Sequence, residues 1–568
     1  MELIDQRTKK IMEECKVRAK AAGLEIRGET LEYIITNREL TELKSKVMIP
    51  TLYDYWVHDV EVIRDKWIYD VFPYNPYETV INTRPAISFY NDNNPDWLNV
   101  MVFYHVLGHI DFFQNNVFFR KTWDDDFCGQ ALADKRLINR IREEMGQDKR
   151  WVDYVIEFAR GIDNLVGYYQ ELEEANKVQM QNIFGAFSEK VNFYFGEFLR
   201  QLYDRGAVEM KVYYDEVERY NQYLKQFGQE RGEEIFFDNY DFRSRFPEFN
   251  SIFEKRKKKE TVETKDILQY LMERSEFINK EQNKWMKDVL QVVRKTSLYF
   301  QSQLRDHICN EGWASLWHER LFMTDERIKG HEVNFARVNA TVLVDPRVGF
   351  NPYIVGMHLF EFIEELASKG KLSYGFQLIK DLESREHFDR KLGPDFGKKI
   401  LFEARRNFND FLLVNFLSDD NFQDFVNKYN LFIAGIRIHP QKLGFAEIYI
   451  KSRSGLEYRK MLNKSLYHPP YIVIREDKAK EGELYLDHVF EGRTLVTRYI
   501  PAVLIGLAYL WGNIVKLETT EFEVEEMDYR KMFYNQEAKP KYRKHRVLYI
   551  CEGKKVDRTV LVYDWKEE

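Results

Sequence analysis

Residues 96–120 read DWLNVMVFYHVLGHIDFFQNNVFFR. The stretch follows Asn94-Pro95, a plausible helix start, and apolar side chains fill almost every face of the helix it predicts. It is broken by Asn99 and two histidines and falls short of the ~20 apolar residues that a membrane span needs. A helix buried in a globular core is the better reading, running to about Arg120. His105 and His109 are four apart, so they share one face, which Phe112 and Asn116 continue. Two imidazoles at that spacing can grip a divalent metal from a rigid rod. As plain core side chains they must instead find partners or stay neutral.

Outward from this helix the pattern stays helical for most of the chain. Residues 1–22, 131–235, 264–323, 353–368 and 396–429 carry spaced apolar positions with charges between them. Glu171 and Glu174 lie near Lys177 at helix-pairing distance. Asn351-Pro352 is a cap and first-turn signal for the helix that follows. After Asn430 the period changes. LFIAGIRI, AEIYIKS, YIVIRED, GELYLDHVF, GRTLVTRYI, Val547–Cys551 and Arg558–Tyr563 read as short strands, with a helix-like LIGLAYLWG among them. The expectation is a mainly α large N-terminal domain, residues 1–428, with a smaller α+β C-terminal domain, residues 429–568. A linker or insertion is expected near 236–262.

A second segment carries chemistry: Cys309–Phe322, CNEGWASLWHERLF. Glu311 and His318 are seven apart and again share a helix face. Asn310-Glu311-Gly312 followed by an aromatic residue and Ala resembles the helix that gives the third zinc ligand in gluzincin metallopeptidases. Those enzymes pair it with an H-E-x-x-H helix, in which Glu is the general base. Here Val106 stands in that place, so hydrolysis needs another carboxylate, with Glu319 a candidate. His105, His109, Glu311 and His318 together could form a closed four-ligand site for zinc. Two histidines with one carboxylate could hold iron or manganese instead. A hydrogen-bonded network without any ion is the alternative. The residues leave open whether the chain is an enzyme. His331 and Asn339, in a third segment, fit turn and cap roles better than chemical ones.

Composition excludes several classes. Hydrophobic residues make up 44% and charged residues 31%, values of an ordinary folded protein. The 42 Phe and 35 Tyr point to aromatic core packing. A net charge of -7 gives no general attraction for nucleic acid, despite basic runs at Lys255–Lys259 and Lys539–Arg546. Cys15, Cys128, Cys309 and Cys551 are far apart and form no CxxC pair, as expected of reduced thiols in a cytoplasmic protein. The N-terminus has no apolar signal region.

These motifs, in order, resemble the SpoVR family (stage V sporulation protein R-like). The matching pieces are Asn75–Pro85, His105–Asn116, Trp285–Phe300, Asn310–His318, Gly349–Glu364 and Gly492–Ile500. Residues 50–60 and 341–347 depart from the family's pattern, and 200–260 looks longer than in many members. The resemblance implies a bacterial protein of spore cortex formation or of a stress-phase envelope module. It also implies a PrkA-type serine kinase and a von Willebrand-like protein as partners.

Overall fold

A computed structural model describes residues 2–36, 79–119 except 84, 127–167, 188–199, 202, 210–260, 266–438 except 347 and 380, 446–524 and 542–561. Residues 50–60, 75–78, 171–177 and 539–541, which carry some of the expectations above, lie outside the described residues. By its internal contacts the chain divides into two units, Met1–Tyr168 with Asp266–Glu568, and Tyr169–Lys265.

The first unit is mainly helical. Helix α1 (Gln6–Ala22) starts at Asp5, whose carboxylate accepts from the Thr8 amide, and stops at Gly23, whose positive φ only glycine adopts readily. Helix α2 (Asp96–Asn115) holds the histidine pair, and α3 (His307–Phe322) holds Glu311. They are joined by α4 (Glu332–Val342), α5 (Pro352–Ser368) and α6 (Pro394–Asn407). Asn351 caps α5 as its position before Pro352 predicts, its Oδ1 accepting from the Tyr353 amide at 3.0 Å. Helix α3 packs along both α2 and α5, and α5 packs along α6.

A four-stranded sheet lies near the N-terminus, ordered β1 (Glu2–Leu3), β2 (Thr30–Ile35), β4 (Ala86–Asn91), β3 (Thr79–Ile81). The C-terminal part is α+β. It has a two-stranded ribbon, β5 (Ile433–Ile438) with β6 (Ala446–Ser452). Beyond it, β7 (Tyr471–Ile474), β8 (Leu484–Val489), β9 (Val515–Val524), β10 (Tyr542–Glu552) and β11 (Lys555–Leu561) form one sheet in reverse chain order. Strands β8 and β9 are parallel, so the chain needs a crossover, supplied by α7 (Ile500–Trp511). The segment GRTLVTRYI, expected to be a strand, is instead a loop ending in a 3-10 turn at Thr497–Tyr499. Leu486, Leu504 and Leu517 from this part share one core with Val155 and Val289 of the helices before it.

The second unit is helical wherever it is described, including Gln229–Asp238, Tyr240–Arg245 and Phe249–Glu260. The sequence led us to expect a linker or insertion there. Its core is aromatic, with Tyr194, Phe236, Phe242 and Phe249 buried together. Fully buried Glu216 accepts from Tyr194 Oη at 2.8 Å and is paired with Arg219 and Arg245. Unpaired, that charge would be costly in an apolar core. Among the described residues, no helix of the chain is long and apolar enough to cross a membrane.

Candidate metal centre

Helices α2 and α3 come close enough to share side chains because small residues line their seam. A Cβ on Gly108 would sit 2.7 Å from Ala314 Cα, and one on Gly312 would sit 2.4 Å from the Gly356 carbonyl carbon of α5. The helices run antiparallel, since His105 meets His318 while His109 meets Asn310. Asp111 ties them from the other side. It accepts from Trp313 Nε1 at 2.9 Å, and Arg405 Nε lies 3.4 Å away. Burial pushes the Asp111 carboxyl up to about 6, against the pull of Arg405.

This packing brings His105, His109 and Glu311 to one point. One ligand atom from each lies within 4.8 Å of the others. Glu311 Oε2 is 3.7 Å from His105 Nε2 and 3.5 Å from His109 Nε2. Its side chain is 15% exposed, and Oε2 accepts no hydrogen bond from the described residues. The Tyr353 ring stacks against His105, and Phe113 stacks against His109.

The tautomers follow from the partners. Asn339 Nδ2 donates to Glu319 Oε2 at 3.3 Å, which turns Asn339 Oδ1 toward His318. His318 Nε2 therefore donates to Asn339 at 2.9 Å, and its Nδ1 must accept from His105 Nδ1, also at 2.9 Å. His109 Nδ1 donates to Asn310 Oδ1 at 2.9 Å. His105, with Nδ1 donating, and His109, with Nδ1 on Asn310, both turn Nε2 toward Glu311. Burial pushes His105 down to about 3 and His318 down to about 4, so both are neutral at pH 7. Burial would raise the Glu311 carboxyl, but His109 and then His105 pull it further the other way, to about 2.

Three potential donor atoms, from His105, His109 and Glu311, thus converge on one point. Neutral imidazoles with an ionised carboxylate are the forms that bind a cation, and the second ring nitrogens are held as in metal sites. The donor set fits a divalent metal. Both ring nitrogens of His318 are occupied by protein, so it stands behind His105 rather than beside it. Glu319, a candidate base on sequence grounds, is engaged by Asn339 at the far end of the same chain of hydrogen bonds. Asn339 and Asn310 therefore belong to the site. Nothing in the local sequence marked Asn339 for this, while Asn310 was visible only as Glu311's neighbour. His331 lies elsewhere, stacked on Trp97. Asn116 holds the Arg405 and Phe408 carbonyls, a structural role. A second acidic group, Asp306, Cys309 and Asp410, is also close-set, and Asp410 Oδ1 accepts from the Cys309 amide at the start of α3.

Fold and site together define a mainly α protein with an α+β C-terminal part and a buried cluster of imidazoles and carboxylate between two antiparallel helices. The chain belongs to the SpoVR family, whose model, SpoVR like protein, matches residues 4–444. It is 24% identical over 506 residues to the uncharacterized protein YcgB of Escherichia coli (strain K12), covering 85% of this chain and 86% of that protein. No solved structure matches.

Proposed function

We propose that this protein is a metal-dependent member of its family, holding one divalent ion on His105, His109 and Glu311. His318, Asn339 and Asn310 orient the imidazoles. The observation that carries the reading is the convergence of three donor atoms within 4.8 Å, with Glu311 Oε2 accepting no hydrogen bond from the described residues. Two imidazoles and one carboxylate suit zinc, iron(II) or manganese. Such an ion, when bound, supplies Lewis-acid or redox chemistry. The chain's own contribution is to keep His105 neutral by burial and the Glu311 carboxyl ionised. The Tyr353 and Phe113 rings stack on the two imidazoles and help to hold them in place.

The cellular setting we infer is the one the family resemblance implies, in a bacterial cytoplasm. There the protein acts in spore cortex formation or a stress-phase envelope module, beside a PrkA-type kinase and a von Willebrand-like protein. The substrate class in this reading is a cell-wall precursor or another amide. Lacking the H-E-x-x-H base, the protein works as a hydrolase only if Glu319 or another nearby carboxylate serves as base. In this reading residues 1–428 form the site-bearing domain and 429–568 the accessory one.

The test is elemental analysis by mass spectrometry of untagged protein, comparing wild type with His105→Ala and Glu311→Ala. The expected result is near-stoichiometric metal in wild type and its loss in both variants. Folded wild type without metal overturns the reading. It would favour the rival in which the chain from His105 to Glu319 only fixes helix packing and the protein serves as a scaffold for the kinase.

A further inference from the structure

A cavity of about 310 Å³ opens between α7, β8 and the loop Gly492–Tyr499 of the C-terminal part and Ile162, Leu165 and Ile267 of the helical part before it. Its inner wall is aliphatic, with Leu486, Leu504, Leu507 and Leu517. The metal site uses none of these residues. The loop is the GRTLVTRYI segment that read as a strand, and it contributes Arg493, Leu495 and Val496 to the lining. An extended segment without a strand partner has a physical use if its apolar side chains roof a ligand.

Two polar residues of the lining bear on what the cavity could hold. His488 lines it and is only 2% exposed. One ring nitrogen, Nδ1, is 2.8 Å from Thr519 Oγ1, and the other has no hydrogen-bond partner among the described residues. That nitrogen is free to pair with a group held in the cavity. Arg493 is the second feature. Its Nη2 donates to the Asn463 and Lys464 carbonyls at 3.1 and 2.7 Å, and it has no carboxylate partner among the described residues. Among the described lining residues the acid is Glu491, whose Oε2 lies 2.8 Å from His468 Nε2. The lining therefore offers a guanidinium without a carboxylate partner among the described residues and a hydrogen-bonding imidazole.

We propose that this cavity binds a medium-chain carboxylate, with the alkyl chain against the leucines and the carboxylate held by Arg493, His488 or both. A volume of 310 Å³ holds about ten groups the size of a water molecule, each ~30 Å³, which matches octanoate. The volume is at the lower end of the range for small-molecule sites.

Isothermal titration of the full chain with butyrate, hexanoate, octanoate and dodecanoate tests this. Affinity should rise about fourfold per methylene up to octanoate and then level off. One octanoate should bind per chain. Arg493→Glu, a surface change, should weaken octanoate at least tenfold and leave octanol unchanged. Leu504→Trp should abolish binding by filling the space, and Leu507→Phe is the milder filling variant if Leu504→Trp does not fold. No saturable octanoate binding at millimolar concentration overturns the proposal. So does affinity that keeps climbing through dodecanoate, or octanol binding as tightly as octanoate.

Discussion

Replacing Gly108 by alanine separates the stability of the fold from the geometry of the site. The new methyl would lie 2.7 Å from Ala314 Cα and 3.3 Å from its Cβ, where ordinary contact begins at 3.4 Å. The nearest atom is backbone and cannot rotate away, so α2 and α3 must part by at least 3.4 − 2.7 = 0.7 Å along that line. Gly108 is next to His109, and Ala314 is about one turn from Glu311, so the opening falls on the ligand cluster. Metal–ligand bonds tolerate only about 0.2 Å. We expect metal affinity to fall about 10–100-fold, as when a supporting residue of a metal site is lost. Overpacking costs about 1–3 kcal/mol, but alanine gains about 1 kcal/mol over glycine inside a helix, so the metal-free fold loses only about 0–2 kcal/mol. The assay is metal retained against a competing chelator, alongside urea unfolding of the metal-free protein. Adding Ala314→Gly should not restore binding, because the clash is with Cα. Wild-type metal retention in Gly108→Ala would refute the argument that this seam sets the site.

Asn339→Ala removes the acceptor that fixes His318 and, through it, His105. Metal affinity should drop about 10–100-fold while stability changes by about 1 kcal/mol, read by the same chelator competition. Asp410→Asn tests a buried carboxyl that burial pushes up to about 7 despite backbone donors from the start of α3. The folded state holds this proton above the usual carboxylate range, so its stabilising effect is present at low pH and lost as pH rises through 7. The asparagine variant should therefore gain on wild type by about 1.4 kcal/mol per pH unit between roughly pH 4 and 7, measured by denaturant unfolding at each pH. Burial also pushes the Cys15 thiol up to about 12 and raises those of Cys309 and Cys551. All three should resist iodoacetamide in the folded protein at pH 8 and react in urea, as peptide mass mapping will show.

Helical period alone made the histidine face of α2 and the start of α3 legible, because i, i+4 spacing fixes a face whatever the partner. It could not say which residue at that face meets the cluster. His318 shares Glu311's face but sits about 10 Å further along the axis, at 1.5 Å per residue. Antiparallel packing therefore sets it against His105 Nδ1 instead of the donor point. Asn339 comes from a helix 20 residues beyond Glu319, and only the tertiary fold brings the two within bonding distance. The break at Asn430 was legible as a change of period, and most of the short strands followed from it. GRTLVTRYI misled because alternating β-branched residues look alike in a strand and in an extended loop over a cavity. The N-terminal sheet was obscured for a different reason. Its central pair, β2 and β4, is parallel and joined by a long connection, so no hairpin signal marks it.

The placement of α2 and α3 also bears on how the protein is made. The histidines leave the ribosome about 200 residues before Glu311. At about 5–20 residues per second, α2 waits roughly 10–40 s for the helix that completes its site. Every side chain from Val100 to Gln114 is buried in the finished structure, so during that interval the nascent chain carries an uncovered apolar rod. Until α3 and its neighbours are made, nothing that packs on this rod in the finished fold is there to cover it.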